Sequence, residues 1–156
     1  HVWPYESVEE RNSIRAEAVK DPNWPPHNPP DMYVAQETEI FIPAPFMRPL
    51  GGDQALGNIY EMRIYTYRTG TMANVLKLWA ESVPHREKFS PLAAGMYSDI
   101  GGLNKWVHIW PYKDLEERNR VRAEAAKTPH WPPATREFLV KQENKILVPA
   151  SFSPMH

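Results

Sequence analysis

Two strand-like stretches hold the side chains with the most chemistry in this chain. In IYEMRIYTY, residues 59–67, alternation sets Glu61, Arg63, Tyr65 and Tyr67 against Tyr60, Met62, Ile64 and Thr66. In KWVHIW, residues 105–110, the same period puts Trp106, His108 and Trp110 on one side. A sheet that gathers Glu61, Arg63, Tyr65, Trp106, His108 and Trp110 on one face offers the aromatic and polar lining that suits a small organic ligand. His108 and Arg63 are the candidates for catalysis. A histidine between two tryptophans serves as a general base, a haem ligand or a hydrogen-bonded core residue, and the sequence leaves all three open. The others have a plain structural reading too: Glu61 and Arg63 pair across strands, and Trp106 and Trp110 fill a core, each contributing about 2–3 kcal/mol through burial.

Other chemistries lack their residues. The chain has no cysteine, which removes disulfides, zinc ribbons and thiol catalysis. Its six histidines form no His-x-x-x-His pair, and His85, His108 and His130 sit in no cluster of carboxylates, so no metal site is expected. No Ser-His-Asp pattern, nucleophile elbow or phosphate loop occurs, and Gly101-Gly102 reads as a hairpin. With 18 Lys and Arg against 19 Asp and Glu, no long-range field draws nucleic acid or an anionic membrane. The basic run RNRVR, residues 118–122, reads as a solvated helix face paired with Glu116, Glu117 and Glu124. No apolar run reaches the roughly 20 residues of a membrane span.

The elements that position these side chains come from a repeat. HVWPYESVEERNSIRAEAVKDPNWPP, residues 1–26, returns as HIWPYKDLEERNRVRAEAAKTPHWPP, residues 108–133, with 17 of 26 positions identical. After a one-residue shift, QETEIFIPAPF (36–46) answers QENKILVPASF (142–152). In each copy an N-cap and a Glu three residues on, Ser7 with Glu10 and Asp114 with Glu117, open a helix that Trp-Pro-Pro closes. Residues 1–5 read as a strand tail, 38–43 as a strand, and 46–57 as an exposed connection. After the strand at 59–67, Thr71 is the expected N-cap of a helix whose stripe runs through Met72, Val75, Leu76, Trp79 and Val83, with a kink or restart at Pro84. Strands at 92–100 and 105–110, a helix at 115–127, a short amphipathic piece at 136–140 and a last strand at 144–148 complete the order.

The expected class is α+β, a ferredoxin-like β-α-β-β-α-β repeat. Residues 1–50 read as the C-terminal half of a first repeat truncated at its N-terminal half, 51–57 as a linker and 58–156 as a complete second repeat. Both helices on one face leave the other face bare, and a second sheet is the expected cover. On that bare face, strand alternation is read to place the six site candidates, with His1 and Trp3 at the matching places of the first copy.

IYEMRIYTYRTGTM, HIWPYKDLEERNRVRAEAA and the closing KILVPASFSPM together resemble the NIPSNAP family of the dimeric α/β-barrel superfamily. The resemblance implies tandem domains whose sheets pair as a barrel, within one molecule or as a homodimer, and hence the absence here of the front of the first domain. It implies a cytoplasmic location for a bacterial member and the mitochondrial matrix for a eukaryotic one. Superfamily relatives include cofactor-free monooxygenases, haem-degrading enzymes and small-ligand isomerases. The sequence favours a non-catalytic module that binds a small apolar ligand or a protein partner and needs no cofactor. The alternative is a cofactor-free or haem-dependent oxygenase-like enzyme.

Overall fold

Ser7 opens the first helix, α1 (Val8–Ala18): its hydroxyl accepts from the Glu10 N–H at 3.0 Å, and the Glu10 carboxylate accepts from the Glu6 N–H at 2.6 Å. The return bond thus goes to the residue before the cap rather than to the cap itself. The computed structural model describes residues 1–50 and 54–155, in two compact units, His1–Thr38 and Glu39–His156. Besides α1, the first unit holds a single 3-10 turn, Pro30–Met32, among the described residues. The strand expected at residues 1–5 is not formed, because a strand exists through its ladder and these residues pair with none.

The second unit is built on one sheet. In chain order it comprises β1 (Ile40–Pro43), β2 (Ile59–Tyr67), α2 (Met72–Arg86), β3 (Ala94–Ile100), β4 (Lys105–Tyr112), α3 (Leu115–Ala125) and β5 (Leu139–Leu147). The strands lie in the order β1-β3-β4-β2-β5, every pair antiparallel. From β2 onward this is the ferredoxin-like β-α-β-β-α-β arrangement. The strand expected at 144–148 starts five residues earlier, because β2 offers it partners along its whole length, from Tyr60 opposite Leu147 to Tyr67 opposite Leu139. The edge strand β1, counterpart of the end of β5 in the repeat, takes the opposite edge beside β3. The compact units part between Thr38 and Glu39; of the expected linker 51–57, residues 51–53 lie outside the described residues.

The stripe on α2 forms as its spacing predicts, with Val75, Trp79 and Val83 buried. Two details differ. Helix α2 runs through Pro84 to Arg86: the proline gives up its own bond to the carbonyl four residues back, and the Glu87 N–H resumes the ladder on the Val83 carbonyl at 2.9 Å. Thr71 occupies the N-cap position, but its hydroxyl donates to the Arg68 carbonyl at 2.6 Å instead of capping. The loop between β3 and β4 is the predicted hairpin, with Gly101 at φ 104° and Asn104 at φ 59° where the left-handed turn requires them.

The face assignment is reversed. Val75, Trp79 and Val83 of α2 and Val121 of α3 form one cluster with Tyr67, Trp106 and Trp110, so the face that carries the site candidates is the one the helices cover. The opposite face carries Tyr60, Met96, Val107 and Ile109, all buried, with Phe41, Met47, Leu50 and Leu56 packed on it. That face is not bare: the Tyr60 hydroxyl accepts from the Leu56 N–H at 3.1 Å and donates to the Met155 carbonyl at 2.6 Å, tying both flanking segments across it.

Candidate functional site

Register places the six candidates side by side. Glu61 lies opposite Trp110, Arg63 opposite His108, and Tyr65 opposite Trp106 on the neighbouring strands β2 and β4. All six are on one face as alternation predicts, but under the helices, so they do not line a space between two sheets. The close approach of Trp106 depends on Gly95, where a β-carbon would lie 2.9 Å from the indole.

Glu61 is fully buried and organises the charges. Its carboxylate accepts from Arg63 at 3.0 Å, from Arg118 at 2.6 Å, from Arg122 at 3.3 Å and from Asn144 at 3.4 Å. Arg118 and Arg122 come from the run read as a solvated face. With Val121 and Ala125 they form the i, i+3, i+4, i+7 stripe of α3, and a helix that turns two guanidiniums toward a sheet needs an anion beneath it. Arg120 alone of that run keeps the expected surface pair, with Glu117 at 3.4 Å. Burial pushes the Glu61 carboxyl up, but the Arg118 hydrogen bond and the charges of Arg122, Arg63 and Arg118 outweigh it and hold the group below its ordinary range.

His108 is 1 % exposed, packed against Trp79 at 4.4 Å and Tyr65 at 5.0 Å between ring centres. Its Nδ1 accepts from the Trp110 indole N–H at 2.7 Å. Indole nitrogen only donates, so the Nδ1 lone pair is occupied and the neutral ring carries its proton on Nε2. That Nε2 has no hydrogen-bond partner among the described residues. Burial first, then the charges of Arg63, Arg122 and Arg86, depress its pKa well below the usual imidazole value.

Arg86 and Tyr112 complete the site, and neither was singled out in the sequence. Arg86, 2 % exposed, donates through Nη2 to the Tyr112 hydroxyl at 3.0 Å and lies 4.3 Å from the Trp110 ring centre. Its Nη1 has no partner among the described residues. The signal was present: Arg86 continues the Val75, Trp79, Val83 stripe by one more turn. The sequence also missed the stacking of His85 on His130, ring centres 4.1 Å apart. No group of three metal-ligating side chains exists among the described residues.

Between the helices and the sheet lies a cavity of about 250 Å³. Arg63, Arg86, Arg122 and His108 supply its polar wall; Trp110, Trp131 and Pro132 supply its apolar one. Of the sequence candidates, Arg63, Tyr65, His108 and Trp110 line it, while Glu61 and Trp106 do not: Glu61 anchors the arginines and Trp106 is core. Haem does not fit here. At about 250 Å³ the cavity takes little more than a single ring, and the imidazole has no free lone pair for iron, Nδ1 being taken by the Trp110 indole and Nε2 carrying the proton.

The NIPSNAP family model matches residues 1–48 and 60–154. The NipSnap protein of Drosophila melanogaster is 28 % identical over 165 residues, covering 99 % of this chain and 58 % of the fly protein. Human NipSnap homolog 2 is 29 % identical over 131 residues, covering 80 % of this chain and 44 % of its own. This chain thus spans about half the length of these relatives. Among solved structures, a NIPSNAP family protein of unknown function from Agrobacterium tumefaciens superposes with TM-score 0.61 at 31 % identity, covering 67 % of this chain and 99 % of its own. An uncharacterized NIPSNAP domain protein from Burkholderia xenovorans gives 0.57 at 32 %, covering 62 % of this chain and 98 % of its own.

Proposed function

The chain belongs to the NIPSNAP family, and from that premise we propose that it acts as a non-catalytic small-ligand-binding module whose site is the cavity beneath α2 and α3. One observation carries this reading: among the described residues, two of the buried side-chain nitrogens without a partner, His108 Nε2 and Arg86 Nη1, belong to residues that line the cavity, whereas Trp79 Nε1, Trp106 Nε1 and Arg118 Nε belong to residues that do not. Buried donors are ordinarily satisfied, and two left open beside one cavity point to a guest that satisfies them.

The tautomer of His108 favours binding over catalysis. With Nδ1 occupied by Trp110, the ring has only its Nε2–H left to offer and no free lone pair to act as a base. Arg63 is likewise committed, to Glu61 and, through Nε at 2.7 Å, to the Tyr65 hydroxyl.

The experiment is a fragment screen by ligand-observed NMR on the whole chain and on Ala126→Trp, which fills the exposed side of the cavity. Fragments that bind the parent and not the variant support the reading; binding indifferent to the substitution contradicts it.

For the sheet face opposite the helices we keep the barrel arrangement as part of the proposal. Met62 and Ile64 remain only half-buried there, and a second sheet would cover them. Sedimentation of Ile64→Glu against the parent tests this: a shift from dimer to monomer supports pairing through that face, and equal masses contradict it.

A further inference from the structure

Resting on the cavity as the binding site, we infer that its ligand is a small planar organic acid, with the carboxylate held by Arg86 and His108 and the ring laid against Trp110 and Trp131. This departs from the apolar ligand expected from sequence. The residues that line the cavity carry three guanidiniums, Arg63, Arg86 and Arg122, and the His108 imidazole, beside the hydroxyls of Tyr65 and Tyr112 and the amide of Gln142; none of them is a carboxylate. The one carboxylate nearby, Glu61, already accepts from Arg63, Arg118, Arg122 and Asn144.

The charges do not cancel. Four arginines against one glutamate leave three positive charges (4 − 1 = 3), of which the exposed side of Arg122 is partly screened by solvent. Arg86 is the group solvent cannot help: it is 2 % exposed, and its described partners are a phenol and aromatic rings, not an anion. Glu61 acts on it through space without touching it, and a buried guanidinium with no anion in contact is costly, while a carboxylate matches its fork.

Size and walls narrow the class. A cavity of about 150 Å³ accepts a benzene ring, so about 250 Å³ admits a single ring with its carboxylate and little more. Trp110 and Trp131 meet edge to face at 5.7 Å between ring centres and present flat apolar surface that a bare inorganic anion leaves uncovered.

Benzoate, benzamide and inorganic phosphate are the probes, titrated into the whole chain by calorimetry and tryptophan fluorescence, since two wall residues are tryptophans. The expected result is benzoate binding about tenfold or more tighter than benzamide, phosphate neither binding comparably nor displacing it. Arg86→Met should bring benzoate to the level of benzamide. Should that variant fail to fold, Arg122→Gln, on a half-exposed side chain, decides: it should weaken benzoate several-fold and leave benzamide unchanged. Benzamide binding as well as benzoate would overturn the anion while leaving the cavity as a site. Phosphate competing on equal terms would overturn the planar acid. If no probe binds, the inference fails, and the fragment screen separately decides whether the cavity binds anything.

Discussion

The two copies of the repeated stretch share 17 of 26 residues and differ in almost everything that depends on neighbours. Locally they agree. Each helix has a side-chain oxygen cap, Ser7 and Asp114, each following Trp-Pro bond is cis, and Arg11 bonds Asn12 at 3.0 Å just as Arg118 bonds Asn119. Even the aromatic sequence persists: His1 to Trp3 and Trp3 to Trp24 are 5.9 and 6.3 Å apart, His108 to Trp110 and Trp110 to Trp131 are 6.2 and 5.7 Å. Burial divides them, for Trp3 is 55 % exposed and Trp110 2 %. The same residues make a helix and an aromatic row by themselves. In the second copy β2 supplies Arg63, α2 supplies Arg86, and a cavity forms between them and Trp110 and Trp131.

Trp79 is the sharpest way to break that contrast. It touches the rings of Tyr65, Trp106, His108 and Trp131, and Trp79→Ala should cost about 3–5 kcal/mol in chemical denaturation. Acrylamide quenching should then show the second copy's tryptophans approaching the accessibility of Trp3. A loss below about 1 kcal/mol would mean that α2 does not seal the sheet.

Glu61→Gln removes the anion beneath Arg118 and Arg122. Arg118 and Arg122 have some access to water, so the expected loss is about 2–3 kcal/mol, below that for severing a wholly buried pair. Because the carboxyl is held below its ordinary 4.5 in the fold, its ion pairs stabilise above that value and are lost as acid protonates it. The gap between parent and variant should therefore narrow as pH falls below about 4.5; a gap that stays constant would contradict the ion-pair account.

Gly95→Ala sharpens the comparison at the strand level. Its β-carbon would meet Trp106 at 2.9 Å, and about 1–2 kcal/mol should be lost as the indole shifts. Smallest is the shared local device: Ser7→Ala and Asp114→Ala should each cost about 1 kcal/mol in their own helix, read by circular dichroism and unfolding. Equal local effects in such unequal surroundings would confirm that the cap acts locally.

What the sequence made legible was whatever short-range pattern determines. The strand Ile59–Tyr67, the Val75, Trp79, Val83 stripe, the hairpin at Gly101 and both caps follow from period, cap chemistry and turn residues. Alternation also grouped Glu61, Arg63 and Tyr65 with Trp106, His108 and Trp110 correctly, but a period of two distinguishes the faces without saying which one the helices take. That choice was written in α3, whose inward stripe carries Arg118 and Arg122 and so demands the face with Glu61. Arg86 was missed because a charged residue at a helix end reads as surface, although its stripe position said otherwise. The absence of a strand at residues 1–5 reflects partners, which no local pattern encodes.

The account depends most on His108 being sealed under the helices as a neutral donor. Nitrogen-15 NMR of its imidazole across a pH titration tests that directly. The expected signal is a neutral ring protonated at Nε2, with no titration until well below 6.5. Protonation near 6.5, or a proton resident on Nδ1, would contradict it.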